Sequence, residues 1–82
     1  MEMIQISEKL NAFEKDSQWF HENINSLRDK NLNGMYVAIK GGEIISTNKD
    51  IDVVIKEVKE QGENPAYIVI EFVYPKEIIL RL

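Results

Sequence analysis

The side chains able to do chemistry are few. His21 is the only histidine and there is no cysteine, so a metal site built on several imidazoles or on thiolates is excluded. Histidine can act as a general base at neutral pH, but His21 lies in a helical pattern beside Phe20, where a partly exposed surface histidine is the plainer expectation. Glu71 interrupts the otherwise apolar run Tyr67–Tyr74. A carboxyl held on a covered apolar face is how catalytic acids are made; a solvated or ion-paired carboxylate is the simpler state. Asp50 and Asp52 could suggest a divalent-cation loop beginning at Asn48. Such a loop needs a glycine at its sixth position and an acidic ligand at its twelfth, which here are Val53 and Lys59. Helix capping is preferred for both aspartates. Lys40-Gly41-Gly42 lacks the Gly-Lys-Ser/Thr ending and following helix of a phosphate loop. No serine sits in a Gly-x-Ser-x-Gly setting. The residues therefore point away from an enzyme and imply no cofactor and no metal.

Recognition residues are better represented. Amphipathic aromatics dominate interface hot spots, and Trp19, Tyr36, Tyr67 and Tyr74 are of that kind. Tyr36 reads more simply as a core-flanking residue. Interface candidates are Leu10, Phe13, Trp19, Tyr67, Val69, Val73 and Tyr74.

The elements that must position these residues follow from periodicity. Ile6, Leu10, Phe13, Ser17, Phe20, Ile24, Leu27 and Asn31 recur at spacings of four and three, a heptad-like seam on a helix spanning 6–31. Ser7 is a cap candidate for its start. Asp16-Ser17 interrupts the seam, so one long helix and two shorter helices breaking there are both open. Asn33-Gly34 ends the pattern. Two β-forming runs, Met35–Ile39 and Ile44–Asn48, flank Lys40-Gly41-Gly42-Glu43, and Gly-Gly between such runs is a strong hairpin signal. Lys40 and Glu43 then face each other at the turn mouth. Ile51, Val54, Ile55 and Val58 define a second helix over Ile51–Gln61, stopped by Gly62. Tyr67–Tyr74 is the strongest strand, since seven of its eight residues are aromatic or β-branched. Ile78–Leu82 is a candidate last edge strand after a turn at Pro75.

The expected fold is α+β, in the order α-β-β-α-β(-β), with a small three- to four-stranded mixed sheet. Strand order 2-1-3 places the two most apolar strands side by side, and both helices are expected on one face, against Ile68, Ile70 and Phe72. The opposite face, with Tyr67, Val69, Glu71 and Val73, is too apolar to leave in water. Either the first half of the N-terminal helix or a second subunit must cover it.

With 82 residues, the chain reads as a single domain over 1–82, in which 1–16 is a candidate helical extension and 77–82 a candidate edge strand. A domain this small has a thin stability margin, which makes a homodimer attractive. The formal charge of −4, from 10 basic and 14 acidic side chains, gives counterion release little to act on, so nucleic-acid binding is disfavoured. The longest apolar run, Tyr67–Ile70, is far too short for a bilayer, and Met1–Ile4 carries no signal-peptide pattern. A cytoplasmic protein is expected.

Trp19, Leu27, Gly34-Met35-Tyr36-Val37-Ala38-Ile39, Gly42, Asn64-Pro65 and Pro75 together resemble a family of short archaeal and bacterial proteins of unknown function. The resemblance covers roughly 17–76, with Leu32 standing where the pattern has a tyrosine. It implies the fold and brings no activity with it. The leading functional expectation is a non-catalytic protein-interaction or regulatory module that self-associates. The alternatives are a small ligand binder or weak enzyme using Glu71 or His21, and an antitoxin-like binder of nucleic acid or toxin, which would need Lys9, Lys15, Arg28 and Lys30 gathered on one surface.

Overall fold

A computed structural model describes residues 2–75, and side chains from Glu8 onward. The expected strand at Ile78–Leu82 and the seam position Ile6 lie outside what it describes. The order is α1 (Glu2–Asp29), β1 (Tyr36–Lys40), β2 (Glu43–Asn48), α2 (Ile51–Glu60), a single 3-10 turn (Pro65–Tyr67) and β3 (Val69–Phe72). This is the α+β arrangement and the α-β-β-α-β order that periodicity implied.

α1 runs unbroken through Asp16-Ser17 for 28 residues, a length of roughly 42 Å at 1.5 Å per residue. Ser7 lies inside it and so is not its cap. The helix ends one turn earlier than Asn33-Gly34. Asn31 takes a left-handed φ of 63°, Asn31 N–H donates to Arg28 O, and Leu32 N–H donates to Leu27 O. That is a Schellman closure with asparagine in the place usually held by glycine. Leu32, the residue after the turn, packs on the core.

The sheet has the order β2-β1-β3, as expected, but it is antiparallel throughout rather than mixed. β2 and β3 do run in the same direction, as a connection through α2 requires. The ladder between them is with β1, which is antiparallel to both. β1 and β2 are joined by Gly41-Gly42, both at positive φ (60° and 72°), the two-residue turn whose twist suits a hairpin. A bulge on β2 opposite Ala38/Ile39 lets Ile45 and Ser46 both reach toward α2. β3 begins at Val69, two residues later than the apolar run, because Asn64-Pro65 starts a 3-10 turn that carries Tyr67. Asn64 caps this turn by accepting from Ala66 N–H at 3.0 Å.

The helices do not share a face. Phe20 and Leu27 of α1 pack with Val37, Ile39, Val69 and Val73. Val54 and Val58 of α2 pack with Ala38 and Ile68 on the other side. Strand alternation explains the division, since each face of a strand takes every second residue. The central strand is apolar at consecutive positions, Val37, Ala38 and Ile39, all fully buried. Such a strand needs cover on both faces, and each helix supplies one. The apolar face containing Val69 and Val73 is thus closed by the second half of α1, from Trp19 to Leu27.

Candidate functional site

Asp16, which breaks the apolar seam, is the residue that fixes α1 to the hairpin. Its side chain is buried at 7 % exposure. Oδ2 accepts from Gly41 N–H at 3.1 Å and Oδ1 from Gly42 N–H at 2.9 Å. A carboxylate taking two main-chain N–H bonds is a strong, directional contact. One turn on, Trp19 lies over the same loop, and a Cβ at Gly42 would sit 3.6 Å from its Cδ1. The sequence presents Asp16 as an interruption of the seam, with a break in the helix there left open, and Gly-Gly as turn chemistry. The legible signal was their combination: an acidic residue inside an apolar seam, and a glycine turn with two inward N–H groups needing an acceptor.

Beside this joint lies a half-enclosed cleft of about 440 Å³, where α1, the β1–β2 turn and the α2–β3 connection meet. Its lining includes Lys9, Ala12, Lys40, Glu63, Tyr67 and Ile68. Gly62, at φ 83°, ends α2 by a second Schellman closure, with Glu63 N–H donating to Val58 O. That turn delivers the Glu63 side chain to Lys40, with which it forms an ion pair. Lys40 does stand opposite Glu43 in register, but its salt bridge is made with Glu63 instead. The Lys9 ammonium lies 4.6 Å from the centre of the Tyr67 ring, a cation–π distance.

The other expected residues are scattered. Val69 and Val73 are buried beneath α1, and Trp19 is half-buried on Gly42. Leu10 (53 % exposed), Phe13 (37 %) and Tyr74 (53 %) remain at the surface. Tyr74 stacks edge-on with Phe72, which contacts Tyr36 in turn. This aromatic row at the end of the sheet lies on the face that α2 packs against. His21 is exposed, with its ring edge to Phe20. The groove beside it is lined by α1 residues only, a helix surface without opposing walls. Glu71 is half-buried on the α1 face opposite Val37. Asp50 caps α2, accepting from Asp52 N–H at 2.9 Å, and no cluster among the described residues has the makings of a metal site. Thr47 Oγ1 is the one buried side-chain polar atom without a partner among the described residues.

Lys9, Lys15, Arg28 and Lys30 do not gather. Lys9 and Arg28 are 19 positions apart on α1, roughly 28 Å along the axis. Arg28 is engaged at the far end, its Nε donating to Tyr74 O at 2.9 Å. No described helix is long and apolar enough to cross a membrane.

The match to a known family falls on the sheet and α2. A family model described as "Family of unknown function (DUF5678)" matches residues 32–76. Its span holds β1, β2, α2 and β3 and stops short of α1, so Trp19 and Leu27 lie outside it. No curated protein and no solved structure matches the chain. By that match, which spans more than half of its length, the chain belongs to the family of unknown function DUF5678.

Proposed function

We propose that the protein is a non-catalytic interaction module that self-associates through the N-terminal half of α1. The observation that carries this reading is the exposure of Leu10 and Phe13, three positions apart on a helix already long enough to serve the core without them. Residues three apart neighbour each other on a helix surface, so the two form one apolar strip. The strip continues the seam that Phe20, Ile24 and Leu27 use inside the fold, and a second copy offers the same strip in return. Cytoplasmic residence is part of the proposal and rests on composition alone.

The patch is small, which favours a weak, concentration-dependent dimer over an obligate one. Sedimentation velocity across a wide concentration range tests it. The expected result is a dimer that grows with concentration and disappears in Leu10→Lys and Phe13→Lys. A strict monomer at every concentration, or a dimer indifferent to both changes, overturns the reading. Val69→Lys is not an interface probe in this fold, because it places a charge beneath α1 and unfolds the chain.

A further inference from the structure

The cleft between α1, the β1–β2 turn and the α2–β3 connection has an uneven supply of polar groups. Each of its acidic or amide acceptor groups already has a partner: both Asp16 oxygens the turn N–H groups, Glu63 Oε2 the Lys40 ammonium, and Asn64 Oδ1 the Ala66 N–H. Apart from Glu63 Oε1, what is left uncommitted among the described residues can donate. The Lys9 ammonium touches only the face of the Tyr67 ring. The Tyr67 hydroxyl and the Asn64 amide nitrogen have no hydrogen-bond partner among the described residues. Ala12, Ile68 and the Tyr67 ring supply apolar wall. A volume of about 440 Å³ is within the range of small-molecule sites, which combine apolar lining with a few convergent polar groups.

We propose that this cleft binds a small organic anion, its carboxylate or phosphate held by Lys9 and its apolar body lying against Tyr67 and Ile68. Donors without acceptors select for negative charge, and an acidic ligand replaces solvent at Lys9 without competing for Asp16 or Glu63. The site uses neither Glu71 nor His21. Of the two residues in the self-association strip, Leu10 lies about 100° around the helix from Lys9 and Phe13 about 40°, so Leu10 is the position at which the dimer can be disturbed away from the cleft.

A titration of the full chain followed by ¹H–¹⁵N NMR decides it, with benzoate and phenyl phosphate as probes. Benzamide serves as the uncharged counterpart of benzoate, and inorganic phosphate as a head group without a body. The expected result is saturable shifts at the amides of Gly41, Gly62, Asn64 and Tyr67 with at least one of the two organic anions. Benzamide should bind about tenfold more weakly than benzoate if benzoate is the anion taken, the usual consequence of losing one charge-assisted hydrogen bond. Lys9→Gln should weaken the bound anion by about tenfold while the chain stays folded, because Lys9 is exposed and its one contact among the described residues is the face of the Tyr67 ring. Absence of saturable shifts with both anions overturns the proposal. So does benzamide binding as tightly as benzoate, inorganic phosphate as tightly as phenyl phosphate, or Lys9→Gln without effect. Leu10→Lys should leave the titration unchanged, so failure of the dimer and failure of the site are told apart.

Discussion

The two halves of α1 have the same seam in the sequence and different fates in the fold. From Asp16 to Arg28 the helix is held at three levels: Asp16 on the glycine turn, Phe20 and Leu27 in the core, and Arg28 on the Tyr74 carbonyl. From Glu8 to Lys15 every side chain is exposed, Leu10 and Phe13 included. Periodicity makes a helix equally in both halves; only contact with the sheet makes one half structural. The lesson is that an apolar stripe states a need for a partner and does not say whether that partner is in the same chain.

The sharpest test of the contrast is Leu27→Ala. Leu27 is 1 % exposed and sits where α1 crosses Val37 and Val73. Truncating a core leucine costs about 2–5 kcal/mol from lost burial and the cavity left behind. For a small domain that is a large share of total stability. Urea denaturation should show a midpoint far below that of the parent, and a loss under about 1 kcal/mol would mean the second half of α1 is not welded to the sheet.

Asp16→Ala comes next, with an expected cost of about 1–3 kcal/mol. Two turn N–H groups lose their acceptor, but Gly41 is exposed and water can serve it. Asp16→Asn keeps one carbonyl acceptor, so it should recover part of the loss. If the two variants are equally unstable, the charge rather than the hydrogen-bond geometry holds the turn. Amide exchange at Gly41 and Gly42 reports the joint directly, and it should quicken in Asp16→Ala.

Gly42→Ala probes the same joint from the sheet side. A Cβ there meets Trp19 at ordinary van der Waals distance, so sterics with the helix contribute little. The φ of 72° is what an L-residue resists, at about 1–2 kcal/mol. A cost well above that would show that Trp19 cannot yield, and that the helix presses on the turn more firmly than the contact distance suggests.

How much of this could be read from the chain divides along physical lines. Local signals carried the elements: Gly-Gly at positive φ, Asp50 as a cap, Gly62 as a stop, and Ile51–Val58 as a stripe. The Asn33-Gly34 pair is the stronger C-terminal signal, because glycine takes the left-handed region freely and asparagine only occasionally, yet Asn31 closes the helix first. The assignment of faces was not local. Val37-Ala38-Ile39 is apolar at successive positions, which already implies cover on both sides, yet placing the helices on one face ignored that demand. The cleft was illegible for a similar reason. Lys9, Lys40, Glu63 and Tyr67 are up to 58 positions apart in sequence, and their segments meet through the pairing of β1 with β3 together with the docking of α1 on the glycine turn. Asp16 stood out as an interruption, but its role needed the partner turn in view.

The smallest expected effect completes the comparison. Leu10→Ala, measured beside Leu27→Ala at a concentration where the chain is monomeric, should change stability by no more than about 0.5 kcal/mol, the range of surface substitutions away from special features. Leu10 is 53 % exposed and in neither core cluster, so no cavity forms when its side chain is shortened. The same variant should then lower the apparent melting temperature at high concentration only. Anything that binds the folded state alone adds stability by mass action, and Leu10→Ala removes part of the surface by which a second copy does so. A concentration-independent loss would mean that Leu10 has a partner within its own chain. The distinction between the two halves of α1 would then be one of degree, and the exposed strip would no longer argue for self-association.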